Sequence, residues 1–197
     1  MKKSILAVLL AITLAAPIFA SEKKDMDLDL KFGYTLDTNV KLYLAEETSS
    51  GSTNRGCILA TDFYYYMASN FALGLGVNYI LDSKADYRRS DKYGFTNVYL
   101  AAKPKMDLDS DILDSFYFIG QIGYGFLRFS FDSDANMPSA STENGLYWGV
   151  GIGLEIMDHF VLELLHSFNY GYVKVGNDRK DMRYSELSIN VGYKFGL

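Results

Sequence analysis

The chain has 197 residues and a mean hydropathy close to zero, enough for one sizeable domain. After residue 20 no run approaches the ~20 apolar residues that a spanning helix needs, which argues against a helical membrane protein. The acidic balance, a formal charge of −5, argues against a nucleic-acid partner, which calls for a basic surface.

The first twenty residues stand apart. Lys2 and Lys3 precede the apolar run from Ile5 to Ala16, and Ile18-Phe19-Ala20 ends on a small residue before Ser21. This is the layout of a secretory signal peptide cut after Ala20, leaving residues 21–197 as one mature domain. Cleavage removes two lysines and no acid, so 19 − 2 = 17 basic residues face 24 acidic ones, a net charge of −7. Ser21 and not a cysteine directly follows the cut, so a lipoprotein is not expected. The single cysteine, Cys57, cannot form an internal disulfide.

The mature chain then alternates, with the period of two that marks a β-strand with unlike faces. In 26–36, Met26, Leu28, Leu30, Phe32, Tyr34 and Leu36 oppose Asp27, Asp29, Lys31, Gly33 and Thr35. In 57–67, Cys57, Leu59, Phe63, Tyr65 and Met67 oppose Asp62 and Tyr64. In 71–81, Phe71, Leu73, Leu75, Val77, Tyr79 and Leu81 oppose Ala72, Gly74, Gly76 and Asn78. The stretch 93–103 has two possible phases. Val98, Leu100 and Ala102 form one apolar face, while Phe95 and Tyr99 fit the opposite choice.

Further along, Ile122, Tyr124 and Phe126 within 116–131 oppose Gln121, Gly123 and Gly125. Arg128 breaks that phase and predicts a bulge or the membrane boundary there. In 145–156, Leu146, Trp148, Val150, Ile152, Leu154 and Ile156 oppose Gly149, Gly151, Gly153 and Glu155. In 160–172, Phe160, Leu162, Leu164, Phe168, Tyr170 and Tyr172 oppose Glu163, Ser167, Asn169 and Gly171. The tail, 185–197, sets Leu187, Ile189, Val191, Tyr193, Phe195 and Leu197 against Glu186, Ser188, Asn190, Gly192, Lys194 and Gly196.

These are eight strands. Their links alternate in length: 68–70 and 157–159 are tight turns, 104–113 is a wider one, and 45–56, 82–92, 132–144 and 174–182 are longer and polar. Short turns on one rim and longer loops on the other are the pattern of an outer-membrane barrel. In hydrocarbon every backbone N–H and C=O needs a partner, so the last strand must pair with the first. That accounts for a strand that runs to the final residue. The expected fold is an all-β, eight-stranded antiparallel up-and-down transmembrane barrel with short periplasmic turns and longer extracellular loops. A soluble all-β barrel or sandwich would share the alternation but not the aromatic excess on the apolar face. Tyr65, Phe71, Phe116, Phe160, Tyr193 and Phe195 fall near the short-turn rim, and Tyr79, Tyr124, Trp148, Tyr170 and Tyr172 near the other, as interfacial girdles do.

An eight-stranded barrel has an interior just wide enough for side chains. The inward set is Asp27, Asp29, Lys31, Asp62, Asn78, Lys103, Gln121, Glu155, Glu163, Glu186, Asn190 and Lys194. Unpaired acids would be costly there, so Lys31, Lys103 and Lys194 are expected to pair with them as an ion-pair plug. A gated small pore is the sharper alternative. The glycines at 149, 151 and 153 alternate within a strand with no helix after them. They read as room for lumen side chains, not as a phosphate loop.

The last residues resemble the β-signal read by the outer-membrane barrel assembly machinery: Asn190, Gly192, Phe195 and Leu197 fill the pattern, with Leu where Phe or Trp usually stands. The mature chain as a whole resembles the small outer-membrane barrels of the OmpA/OmpX type. That resemblance implies the outer membrane of a Gram-negative-type bacterium, lipid and lipopolysaccharide as surroundings, and a possible extracellular ligand at the loops. It brings no cofactor, metal or catalytic residue. Lipid A deacylases are also eight-stranded barrels, with a motif similar to His-x-Ser-Asn. Here Ser167 directly follows His166, and adjacent strand residues point to opposite faces, so His166 cannot serve Ser167 as a base. Three function classes remain: a non-enzymatic barrel that supports the envelope or binds through its loops, a narrow porin-like channel, and, last, a lipid A-modifying enzyme.

Overall fold

A computed structural model describes residues 26–43, 48–52, 56–85, 88–130, 140–175 and 178–197. The expected signal peptide, 1–20, lies outside the described residues. The alternating segments all become strands: β1 (Met26–Tyr43), β2 (Thr48–Ser52), β3 (Cys57–Ala68), β4 (Phe71–Ala85), β5 (Arg88–Asp107), β6 (Leu113–Ser130), β7 (Ala140–Glu143), β8 (Gly145–Ile156), β9 (Phe160–Val175) and β10 (Asp178–Gly196). Eight long strands pair antiparallel in the order β10, β1, β3, β4, β5, β6, β8, β9, and β9 pairs with β10 to close the barrel. The short β2 and β7 add to β1 and β9 on one rim.

Closure depends on the tail. Pairing of β1 with β10 runs from Asp27 opposite Gly196 to Tyr43 opposite Asp181, with one irregularity between Thr35 and Asp37. The amide of Leu197 donates to the Met26 carbonyl at 2.8 Å, so even the last residue is paired. Both ends of the paired chain therefore lie on the rim that carries the short turns.

Those turns are tight. Ser69 and Asn70 join β3 to β4. Met157, Asp158 and His159 join β8 to β9, with the His159 amide donating to the Ile156 carbonyl. Met157 and Asp158 have φ of 52° and 62°, the left-handed pair of a type I′ turn, whose twist matches that of the flanking strands. The link predicted at 104–113 is shorter than expected, because β5 runs on to Asp107 and leaves only 108–112 between strands.

On the other rim the loops expected at 45–56, 82–92, 132–144 and 174–182 are partly strand. β4 continues to Ala85 and β5 resumes at Arg88; Thr48–Ser52, Ala140–Glu143 and the end of β9 are likewise paired. The reason is physical. Alternation of apolar and polar residues records which face meets lipid, and it fades once both faces meet water, whereas backbone pairing does not need it. No bulge occurs at Arg128: pairing of β6 with β5 passes without a shift from Leu127 opposite Phe95 to Ser130 opposite Lys92.

Side chains sort by face. Leu75, Leu100 and Ile122 are about 60 % exposed on the outer wall, in a band with Phe32, Leu73, Val98, Val150 and Val191. A contiguous apolar belt of this kind suits lipid and not water. Two aromatic tiers edge it. Tyr193 packs against His159, Phe160 and Phe195 near the short turns, and Trp148 stacks on Phe168 with centroids 4.0 Å apart toward the other rim. The open phase of 93–103 resolves on β5: Val98 and Leu100 face lipid, while Phe95 and Tyr99 are buried inside.

Candidate functional site

The alternation delivers the polar set to a narrow lumen. Asp27, Asp29, Lys31 on β1, Asp62 on β3, Lys103 on β5, Glu155 on β8, Glu163 on β9 and Asn190 on β10 are all buried, and Lys194 is half-buried at the mouth. Inward glycines make the space. A Cβ at Gly74 would meet the ring of Tyr64, one at Gly76 the ring of Tyr99, and one at Gly153 the ring of Tyr117. The rings thus lie flat over neighbouring backbone and fill what glycine leaves open.

Two charge networks occupy the half nearer the short turns. In the first, Lys103 sits 2.7 Å from Glu155 and 3.5 Å from Asp29, and Lys194 reaches Glu155 at 2.9 Å and Asp27 at 4.0 Å. Ser115 donates to Glu155, and Tyr66 donates to Asp27 at 2.7 Å. In the second, Lys31 bridges Asp62 at 2.6 Å and Glu163 at 3.0 Å. Tyr99 donates to Asp62, and Asn190 and Tyr117 donate to Glu163. Tyr117 joins the two, since its ring lies 4.4 Å from the Lys103 ammonium. Lys103 also lies 4.7 Å from the Tyr64 ring, so it is held between two aromatic faces.

Glu186 departs from the expected pattern. It is buried, but among the described residues its partners are Ser167 and Tyr184, not a lysine. Its strand position explains this. Glu186 pairs opposite Thr38 and Ser167, several residues further up the wall than Lys31 and Lys194. Glu186 apart, a chain of neutral groups lies above the ion pairs. Asn97 donates to Asn78, Asn78 to the Tyr147 hydroxyl, and Tyr147 to Gln121.

The four tail residues take different positions. Asn190 and Gly192 face the lumen, where a Cβ on Gly192 would press on the Lys31 stem. Phe195 faces lipid beside Tyr193, and Leu197 is buried at the end of the seam. A polar cavity of about 580 Å³ opens at this rim, lined in part by Asp27, Tyr66, Lys105, Asp107, His159 and Lys194. His166 lies on the outer wall against Phe168, while Ser167 is wholly inside, so the two cannot act as a pair. No group of three or more metal-ligating side chains occurs among the described residues.

Sequence reading missed the tyrosines. Tyr99, Tyr117, Tyr147 and Tyr184 are buried in the lumen and donate to its polar groups. Their strand phase places them inward, but an apolar-versus-polar code hides them.

Comparison with known proteins agrees with the architecture. The crystal structure of Neisserial surface protein A (NspA) aligns over 85 % of this chain and 97 % of its own, at 19 % identity and a TM-score of 0.52. The solid-state NMR structure of outer membrane protein AlkL in DMPC bilayers aligns over 90 % and 94 %, at 16 % identity and a TM-score of 0.52. The crystal structure of OprG from Pseudomonas aeruginosa aligns over 88 % and 97 %, at 15 % identity and a TM-score of 0.49. At these identities the likeness to NspA and AlkL is one of fold. No curated protein sequence matches the chain. The outer membrane protein beta-barrel domain matches residues 4–195, and the chain belongs to that family.

Proposed function

We propose that this protein is a non-enzymatic outer-membrane barrel that stiffens the envelope and binds through its extracellular hairpins, with a lumen plugged by ion pairs. One observation carries the reading: Lys31, Lys103 and Lys194 bridge carboxylates from β1, β3, β8 and β9 across the narrow interior. A permeation path would have to break these buried contacts, each of which leaves a charge uncompensated when opened. The surroundings are then outer-membrane lipid and lipopolysaccharide. The segment 1–20 serves as a removable signal peptide, and Asn190, Gly192, Phe195 and Leu197 serve as the signal to the barrel assembly machinery.

The experiment is conductance in planar bilayers with the purified barrel. The expected trace has no large, steady opening. A stable open level sinks the plug and favours the second reading, a narrow channel. That alternative draws on the polar cavity at the short-turn rim, which already gives water access to Asp27 and Lys194. For the hairpins, a deletion strain should lose surface adhesion while keeping its permeability and lipid A mass profile. A changed lipid A mass would point to an enzyme instead.

A further inference from the structure

We infer that the outer wall where β9, β10 and β1 adjoin binds one phosphorylated glycolipid of the lipid A class, with an acyl chain in the groove below His166 and a phosphate at Arg183. The site presupposes a barrel standing in an outer membrane, as proposed for the function, and does not depend on whether the lumen conducts.

Three tiers of side chains follow one another up this wall. The lowest is a groove of about 320 Å³, open to the lipid side and lined by Phe118, Val150, Ile152, Leu164, His166 and Leu187. Its lining is apolar except for His166, whose imidazole touches Phe168 and, among the described residues, no hydrogen-bonding group. The middle tier is polar. The outward positions there are Ser185 on β10 and Asp37 and Asn39 on β1, with the Asn39 amide donating to Asp37 at 3.4 Å. The highest tier is basic. Arg183 lies over the Tyr170 ring at 5.6 Å, with Lys41 opposite it on β1, and Lys174 is exposed further out, opposite Arg179 on β10. Asp181 is the acid of this tier on the same face of β10.

Toward the outer rim of β6 and β8, by contrast, the wall stays apolar or aromatic, with Tyr124, Phe126 and Leu146 exposed. The polar and basic tiers are therefore particular to one sector, in a chain whose formal charge is −5. From Leu187 to Arg183 the strand climbs about 10 Å at the usual rise and tilt. A phosphorylated glycolipid carries, from the membrane interior outward, acyl chains, then hydroxyl, ester and amide groups, then phosphate. The wall presents the complementary order: apolar, hydrogen-bonding, basic. A guanidinium matches phosphate in charge and in geometry. An imidazole that faces hydrocarbon is costly unless it finds a partner. A hydroxyl on the acyl chain supplies that partner, and a plain phospholipid tail does not.

The test uses the single tryptophan. Trp148 stacks on Phe168 at the upper edge of the groove, so its emission reports occupation. The folded barrel in neutral-detergent micelles is titrated with lipid A, with phosphatidylglycerol and with phosphatidylcholine. Lipid A should change the emission saturably at one per barrel, and at a lower concentration than either phospholipid. Arg183→Gln should raise the half-saturating concentration of lipid A by roughly fivefold, the order for one cation facing an anionic headgroup. Ile152→Phe, which fills the groove from the lipid side, should raise it too. Equal half-saturation for lipid A and phosphatidylglycerol would mean that the wall reads negative charge alone. An equal response to phosphatidylcholine would mean that it reads no headgroup. Either result overturns the glycolipid site, and so does a variant that titrates like its parent. If a variant fails to fold, the comparison of lipids on the unmodified barrel decides alone. A steady open level in planar bilayers would sink the plug and leave this site standing.

Discussion

Lys103 and Glu155 meet at 2.7 Å in the lumen with both side chains almost wholly inaccessible. Glu155 keeps a second cation in Lys194, but Lys103 is the only lysine within ion-pair distance of Asp29 among the described residues. Lys103→Met should therefore leave a buried carboxylate without its counter-charge, at a cost of roughly 3–5 kcal/mol. Urea unfolding in lipid vesicles should show an earlier midpoint. Lys194→Ala, at the wetter mouth, should cost less. A Lys103→Met barrel as resistant as its parent would mean that the network does not hold the wall together.

Phe195 separates assembly from stability. Its ring faces lipid and touches Tyr193, with no lumen contact, so Phe195→Ser removes little that holds the folded barrel. Refolding of the purified chain into detergent should proceed, giving the compact, fast-migrating band in unboiled samples. In cells the same variant should insert poorly, because the proposed recognition pattern is broken. Normal insertion in cells would remove the assembly role from the tail and leave only its part in closure.

Met157 offers a gain. Its φ of 52° is a left-handed conformation that costs an ordinary side chain roughly 1–2 kcal/mol, and Asn is favoured at this position of a type I′ turn. Met157 is exposed, so its side chain gives up little packing. Met157→Asn should raise the unfolding midpoint by an amount equivalent to about 1 kcal/mol. An unchanged or lower midpoint would show that the methionine earns its place through the membrane interface.

What could be read from the chain follows what each side chain faces. Lipid on one side and a packed lumen on the other force a strict alternation, so Leu73 and Leu75 announce the outer wall and Asp62 and Lys31 the inner one. The code fails where a lumen residue is aromatic. Phe95 and Tyr99 look lipid-facing, yet Tyr99 is inside and donates to Asp62. It also fails toward the outer rim, where Ser83, Lys84 and Ala85 pair with Tyr93, Lys92 and Arg88 without an apolar alternation. Which lysine meets which acid was not legible at all. Lys31 and Glu163 are 132 residues apart, and only the stagger of the closed barrel brings them together.

The last prediction concerns the outer ends of β5 and β6. A membrane-crossing strand needs ~9–11 residues, and β6 has 18. Pairing with β5 keeps one register from Ser115 opposite Asp107 to Ser130 opposite Lys92, interrupted only at Lys103 and Pro104, and it is unbroken from Gly120 to Ser130. Several pairs must then stand outside the bilayer, at about 3.4 Å of rise per residue before tilt. An ordered, raised strand pair presents an edge and a fixed surface to an external partner, which a frayed loop does not. Hydrogen exchange in nanodiscs should find amides protected on β6 through Phe129 and Ser130, because their backbone pairing persists in water. Protection that ends at Leu127 would mean that the strands part at the membrane surface. The raised strand pair would then lose its standing as the binding surface.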